Sequence, residues 1–177
     1  MPHEGVCKAR NAGLKYAKND WIAYVDSDNT IMPCFLGVFA KGIVDSPSSR
    51  VFYAQYQVKN REFIDWGKYL YSLSRIYYRN FIDLGVYVHD KQLINELGGF
   101  DESMCRLVDW ELILRQCKNY HPNYIPIDVM FYNNDDNSDR ITKTVKDVNN
   151  IIEYVHKKHE DCINKFKSVT TIILTYN

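Results

Sequence analysis

Apolar residues recur along the chain with two different spacings, and the switches between them divide it into short alternating elements. Across 7–18 the apolar positions Ala9, Leu14 and Ala17 fall on one side of a helix, and 21–25 (Trp21-Ile22-Ala23-Tyr24-Val25) is an apolar run of strand length. Pro33 opens a helix over 33–43, since a first turn tolerates proline, and Ser46-Pro47-Ser48-Ser49 marks a loop before an alternating strand over 51–58. Tyr69, Tyr71, Tyr77 and Tyr78, beside Arg75 and Arg79, read as an aromatic helix packed on its own sheet. A strand over 84–89 leads to a helix over 91–97 that Gly98-Gly99 ends. A helix over 109–118 turns Leu112, Ile113 and Cys117 inward and starts on an acid, where the helix dipole favours negative charge. After it come a strand over 125–132, a polar loop over 133–140, a long helix over 143–165 and a terminal strand. Helical crossovers in some places and short turns in others predict an α/β fold with a mixed sheet flanked by helices.

Composition narrows the class. With 177 residues and 46% hydrophobic content the chain can bury a sizeable core. Lysine plus arginine and aspartate plus glutamate number 22 each, so nothing points to nucleic-acid binding through phosphate neutralisation. Cys7, Cys34, Cys105, Cys117 and Cys162 form no Cys-x-x-Cys pair, which argues against a zinc site and a disulfide framework and suits a reducing cytoplasm. Met1-Pro2-His3-Glu4-Gly5 does not read as a signal peptide, and no apolar run approaches the ~20 residues that span a bilayer.

The candidate chemistry sits where the run 21–25 ends, in Asp26-Ser27-Asp28. In an extended chain residues two apart share a side, so both carboxylates can face a cation, or one can hold a ribose while the other takes the metal. Hard cations such as Mg2+ and Mn2+ bind through one or two carboxylates, with substrate phosphates completing the shell. The same four residues Asp26-Ser27-Asp28-Asn29 are also good turn formers.

Three segments carry a resemblance. Glu4 to Gly13 with its Ala9-Arg10-Asn11-Ala12-Gly13 core, followed by Ala17, Asp20-Trp21-Ile22 and Asp26-Ser27-Asp28, resembles the central segment of family 2 glycosyltransferases. Gly98-Gly99-Phe100-Asp101-Glu102 and Leu107-Val108-Asp109-Trp110-Glu111-Leu112-Ile113-Leu114-Arg115 look like that family's acceptor-side signature, in the same order. The resemblance covers about 4–143 and implies a GT-A-like fold, the Rossmann-like fold of nucleotide-diphospho-sugar transferases. It further implies an inverting glycosyltransferase, moving a sugar from a nucleotide-diphosphate donor to an acceptor hydroxyl in glycan or polysaccharide synthesis. By that resemblance Asp26-Ser27-Asp28 is the DxD motif, with Mn2+ or Mg2+ at Asp28 and with Asp26 on metal or ribose, and Asp109 is the base. The family has an acidic pair where this chain has Val108-Asp109, so only Asp109 remains for that role. Arg10 neighbours the nucleotide site or pins its helix, and Arg140, with Asn137, Ser138 and Thr142, lies where the family has a loop closing over the diphosphate.

The family opens with a strand and a Thr-Tyr-Asn-like loop, then a second strand ending in acids. Neither precedes Glu4, whereas Ser168 to Asn177 looks like that opening strand and loop. The expectation is an incomplete domain: 1–143 the central and acceptor-side part, 144–167 a helical linker, 168–177 the opening strand of a second such domain in a longer chain. A circular permutation, or 169–174 folding back into the empty slot, are the other arrangements. Expected partners are a nucleotide-sugar donor and a glycan, lipid-linked or protein acceptor, at the cytoplasmic face of a membrane. Two alternatives stand beside this reading. One is an inactive fragment or non-catalytic binding scaffold. The other is a haloacid dehalogenase-like phosphatase, whose first motif Tyr24 to Thr30 also resembles but which leaves the other segments unexplained.

Overall fold

The computed structural model describes residues 5–58, 70–133 and 148–162. Helix α1 (Val6–Tyr16) leads into strand β1 (Trp21–Ala23); a turn and the two-residue β2 (Thr30–Ile31) follow, then α2 (Phe35–Asp45) and β3 (Val51–Val58). After α3 (Leu73–Tyr78), a 3-10 turn over Leu84–Val86 passes into β4 (Tyr87–Asp90) and α4 (Gln92–Leu97). Next come α5 (Val108–Cys117), β5 (Asn123–Tyr132) and α6 (Val148–Lys158).

The strands form one sheet in the order β1-β4-β3-β5-β2. It is mixed, as the connections predict: β3 and β5 run parallel, whereas β1–β4, β3–β4 and β2–β5 are antiparallel. Side chains on β3 alternate between two cores, as a pleated strand requires. Val51 and Tyr53 join the helices α1, α3, α5 and α6 on one face; Phe52, Ala54 and Tyr56 join Phe35 and Phe39 of α2 on the other. Pro126 and Ile127 fall where the pairing jumps from Ala54–Ile125 to Gln55–Asp128, a bulge that spares the proline its missing donor.

Several predicted boundaries move, each for a local reason. Helices predicted over 7–18, 91–97 and 109–118 are Val6–Tyr16, Gln92–Leu97 and Val108–Cys117, and α4 ends on Gly98 at φ 88°, a left-handed backbone that favours glycine. The helix expected to open at Pro33 starts at Phe35, after a turn in which Phe35 N–H donates to the Met32 carbonyl. The strand expected over 84–89 begins only at Tyr87, because the Asp83 carboxylate accepts the Gly85 amide at 2.8 Å and winds 84–86 into the 3-10 turn. The strand expected over 21–25 is Trp21–Ala23, with Ala23 paired to Val88; Val25 lies beyond the first residue of β4, Tyr87. The Tyr77–Tyr78 segment is a six-residue helix that shares a core with Val51, Tyr53 and Tyr87 of the sheet and also packs on α5 and α6, with the Trp110 indole donating to the Ile76 carbonyl at 2.6 Å and Tyr77 stacked on His156 at 4.6 Å. Tyr69, the loop over 134–140, both ends of the helix over 143–165 and the strand over 169–174 lie outside the described residues. No helix among the described residues is long and apolar enough to cross a membrane.

Candidate active site

The turn after β1 is held from three sides. Within it, the Asn29 amide donates to the Asp26 carbonyl at 3.1 Å. From α1, Arg10 Nη2 donates to Asp26 Oδ1 at 2.9 Å while its guanidinium lies 5.3 Å from the centre of the Phe100 ring. From the end of β5, the Asn133 amide donates to Asn29 Oδ1 at 3.1 Å, tying the turn to the point where the chain enters the 134–147 segment that contains Arg140. Asp28 is exposed and Asp26 half-buried.

Asp109 stands in the first turn of α5, entered through Leu107 in the left-handed region (φ 57°), an uncommon conformation for a bulky residue. Burial raises the Asp109 carboxyl above the usual aspartate range, opposed by the Trp110 backbone amide and by the charge of Arg10, while Asp26 pushes in the same direction as burial. Arg10, Asp26 and Asp109, drawn from three distant parts of the chain, therefore share one electrostatic neighbourhood.

Two further residues complete it, and neither lies in a recognised motif. Asn80 Nδ2 donates to Asp109 Oδ2 at 3.1 Å. Asp83 is half-buried and pushed up to about 7 by burial, with Asp109 and Asp26 adding like-charge repulsion against the Gly85 amide and Arg10. In sequence the stretch from Leu84 reads as a strand and nothing in its pattern brings Asp83 to the site; its side chain makes an Asx-type turn with Gly85.

The three motifs are also a structural joint. Asn11 forms a reciprocal pair with Phe100, Nδ2 donating to its carbonyl at 2.9 Å and Oδ1 accepting its amide at 2.8 Å, and also donates to Glu102 at 2.8 Å. Arg115 donates to the carbonyls of Leu97, Gly98 and Gly99 while pairing with Glu111 at 2.8 Å. Residues flanking Arg10 and Asp109 thus lock α1, α4 and α5 around the 98–102 turn.

No group of three or more histidine, cysteine, aspartate or glutamate side chains gathers to hold a metal among the described residues. A donor set of one or two carboxylates, as at Asp26 and Asp28, fits a hard cation that takes most of its ligands from a diphosphate. Arg140 lies outside the described residues.

Residues 2–101 match the model of Glycosyl transferase family 2. Among solved structures, the chain superposes on S. aureus TarS 1–349 in complex with UDP-GlcNAc with a TM-score of 0.64 at 18% identity, covering 81% of this chain and 42% of that one. For TarS 1–349 without that ligand the TM-score is 0.58 at 20% identity, over 73% and 40% of the two chains. The complex with UDP gives 0.56 at 20% identity over the same shares. No curated protein matches. The chain spans about two fifths of the length of TarS 1–349, and the shared architecture is the GT-A fold, a mixed sheet with flanking helices of which part is present here. A family match over more than half of the residues, on a sheet of that architecture, makes this chain a member of glycosyl transferase family 2.

Proposed function

We propose that the chain carries the metal-side and acceptor-side part of an inverting transferase that moves a sugar from a nucleotide-diphosphate donor to an acceptor hydroxyl. The observation that carries this reading is the convergence of Arg10 and Asp26 with Asp109, an acidic turn at a strand end facing a carboxylate at a helix start. Direct displacement needs these two functions on opposite sides of the anomeric carbon: stabilisation of the departing diphosphate, and a base for the attacking hydroxyl. Asp109 takes that proton at its carboxylate. Asp28, with Asp26, holds Mn2+ or Mg2+, which when bound supplies Lewis-acid stabilisation of the diphosphate. Arg10 keeps the Asp26 carboxylate in place, so that the turn does not collapse when the donor is absent. Arg140 closes over the diphosphate as a cationic clamp.

TarS was crystallised with UDP-GlcNAc and with UDP, and a uridine donor is accordingly the first to test here. The acceptor is a glycan end, lipid-linked or protein-borne, met at the cytoplasmic face of a membrane in polysaccharide synthesis. Since the chain spans two fifths of TarS 1–349, binding without turnover is the second reading. The GT-A fold removes the phosphatase alternative.

Calorimetric titration of UDP and GDP, with and without Mn2+, into the wild-type chain and Asp28→Ala tests the site. Metal-dependent binding that the substitution weakens at least tenfold supports it; equal binding in both removes Asp28 from the site. Asp109→Asn should lower turnover by roughly 10²–10⁴ while leaving UDP affinity unchanged, and binding without turnover in the wild type would favour the scaffold reading.

A further inference from the structure

Asn80 lies in the stretch between α3 and the 3-10 turn, and its two amide atoms have different partners. The Ile82 backbone amide donates to Asn80 Oδ1 at 3.2 Å, while Asn80 Nδ2 donates to Asp109 Oδ2 at 3.1 Å. The first contact decides the second: a backbone N–H can only donate, so the oxygen of Asn80 must face Ile82, and only the NH2 group can face Asp109.

Asp109 needs such a donor. Its surroundings include the carboxylates of Asp26, from the turn after β1, and Asp83, before the 3-10 turn; on the favourable side are Arg10 of α1 and the Trp110 amide of α5. Burial and the like charge of Asp26 thus act against an ionised Asp109. A half-buried carboxylate at the end of a single torsion would also be free to turn toward Arg10, away from an acceptor.

We propose that Asn80 is a positioning residue for the base: anchored through Ile82, it fixes the Asp109 carboxylate in one orientation and favours its ionised form. The inference rests on the reading of Asp109 as the base, and it adds a group outside the three family-like motifs. Asn80 moves no proton itself; it sets the state and direction of the group that does.

Asn80→Asp is the sharpest test, because it keeps an oxygen for the Ile82 amide and replaces only the donor by a further carboxylate. Asn80→Ala removes both contacts. Carbon-13 carboxyl titration of the folded chain, with the Asp109 signal assigned by its loss in Asp109→Asn, reads the outcome. We expect the Asp109 midpoint to rise by about one pH unit in Asn80→Ala and by more in Asn80→Asp, which is at least a tenfold weaker acid. A midpoint unchanged in Asn80→Asp, with the dispersed spectrum of a folded chain, overturns the proposal, and Asn80→Ala then serves as the check. A merely structural role would lower thermal stability in Asn80→Ala without moving the midpoint in Asn80→Asp. Turnover of Asp109→Asn separates the two claims: undiminished turnover rejects Asp109 as the base whatever the titration shows, whereas lost turnover with an unmoved midpoint keeps the base and rejects Asn80.

Discussion

At the scale of single residues, two glycines of the family-like motifs have opposite duties. A Cβ added at Gly99 would run into Asn11 Oδ1, the atom that accepts the Phe100 amide, so Gly99→Ala must break the joint between α1 and the 98–102 turn. We expect a loss of about 1–3 kcal/mol in a urea midpoint measurement, the scale of a lost buried hydrogen bond with its partner stranded. Gly13 sits inside α1 with nothing within 4 Å of an added Cβ. Gly13→Ala should therefore raise stability by about 0.5–1 kcal/mol through helix propensity alone, and a loss instead would mean that something outside the described residues packs there. Both glycines stood out equally in the sequence, which shows a motif but not which of its members hold the backbone and which face the substrate. Arg10 and Asn11 make the same point: adjacent residues of one motif, the first directed to Asp26 and the second to the scaffold.

At the scale of elements, α6 is fastened to α5 by charge. Glu111 is wholly buried and accepts from Arg115 on its own helix and from Lys158 (3.0 Å) and His159 (3.2 Å) at the end of α6. Burial works against its ionisation, yet the His159 and Arg115 hydrogen bonds outweigh it and hold the carboxyl down at about 2. Removing one side of a buried pair costs about 3–5 kcal/mol, so Glu111→Gln should release α6 first, seen as faster amide exchange in 148–158 before any change in the strands. Periodicity made the helices and long strands legible, together with the inward faces of α5, because each repeats over several turns or residues. The two-residue β2 carries no period at all, and the 3-10 turn that displaces the start of β4 depends on one Asp83 side chain bonding locally. The candidate site divides in the same way: Asp26, Asp28 and Asp109 were visible as motif members, while Asn80 and Asp83 come to them only through tertiary folding.

At the scale of the whole molecule, stability should depend on pH through groups with opposite signs. His89 is wholly buried beneath Tyr24, its Nε2 2.9 Å from the phenol oxygen and its Nδ1 2.9 Å from the Asp90 carbonyl; burial lowers it to about 4, from 6.5. Between those values the unfolded chain binds the extra proton, so this contribution is full above about pH 6.5 and is lost as pH falls toward 4, roughly 3 kcal/mol in all. Asp83, raised from 3.8 to about 7, acts the other way: the folded chain holds the proton, and stability is lost as pH rises through that interval. Denaturation midpoints of His89→Asn against wild type, followed from pH 7 to 4, should converge as the acid side is approached; parallel curves would mean that His89 takes up its proton equally in the folded and the unfolded chain. The sheet order carries a last consequence. Among the described residues no strand pairs with the outer side of β1, so the backbone groups that alternate outward from this edge have no strand partner. Such a rim invites a second molecule to add itself strand to strand. Concentrated solutions of the chain should then grow in light scattering with time, and a lysine at exposed Ala23 should keep them clear.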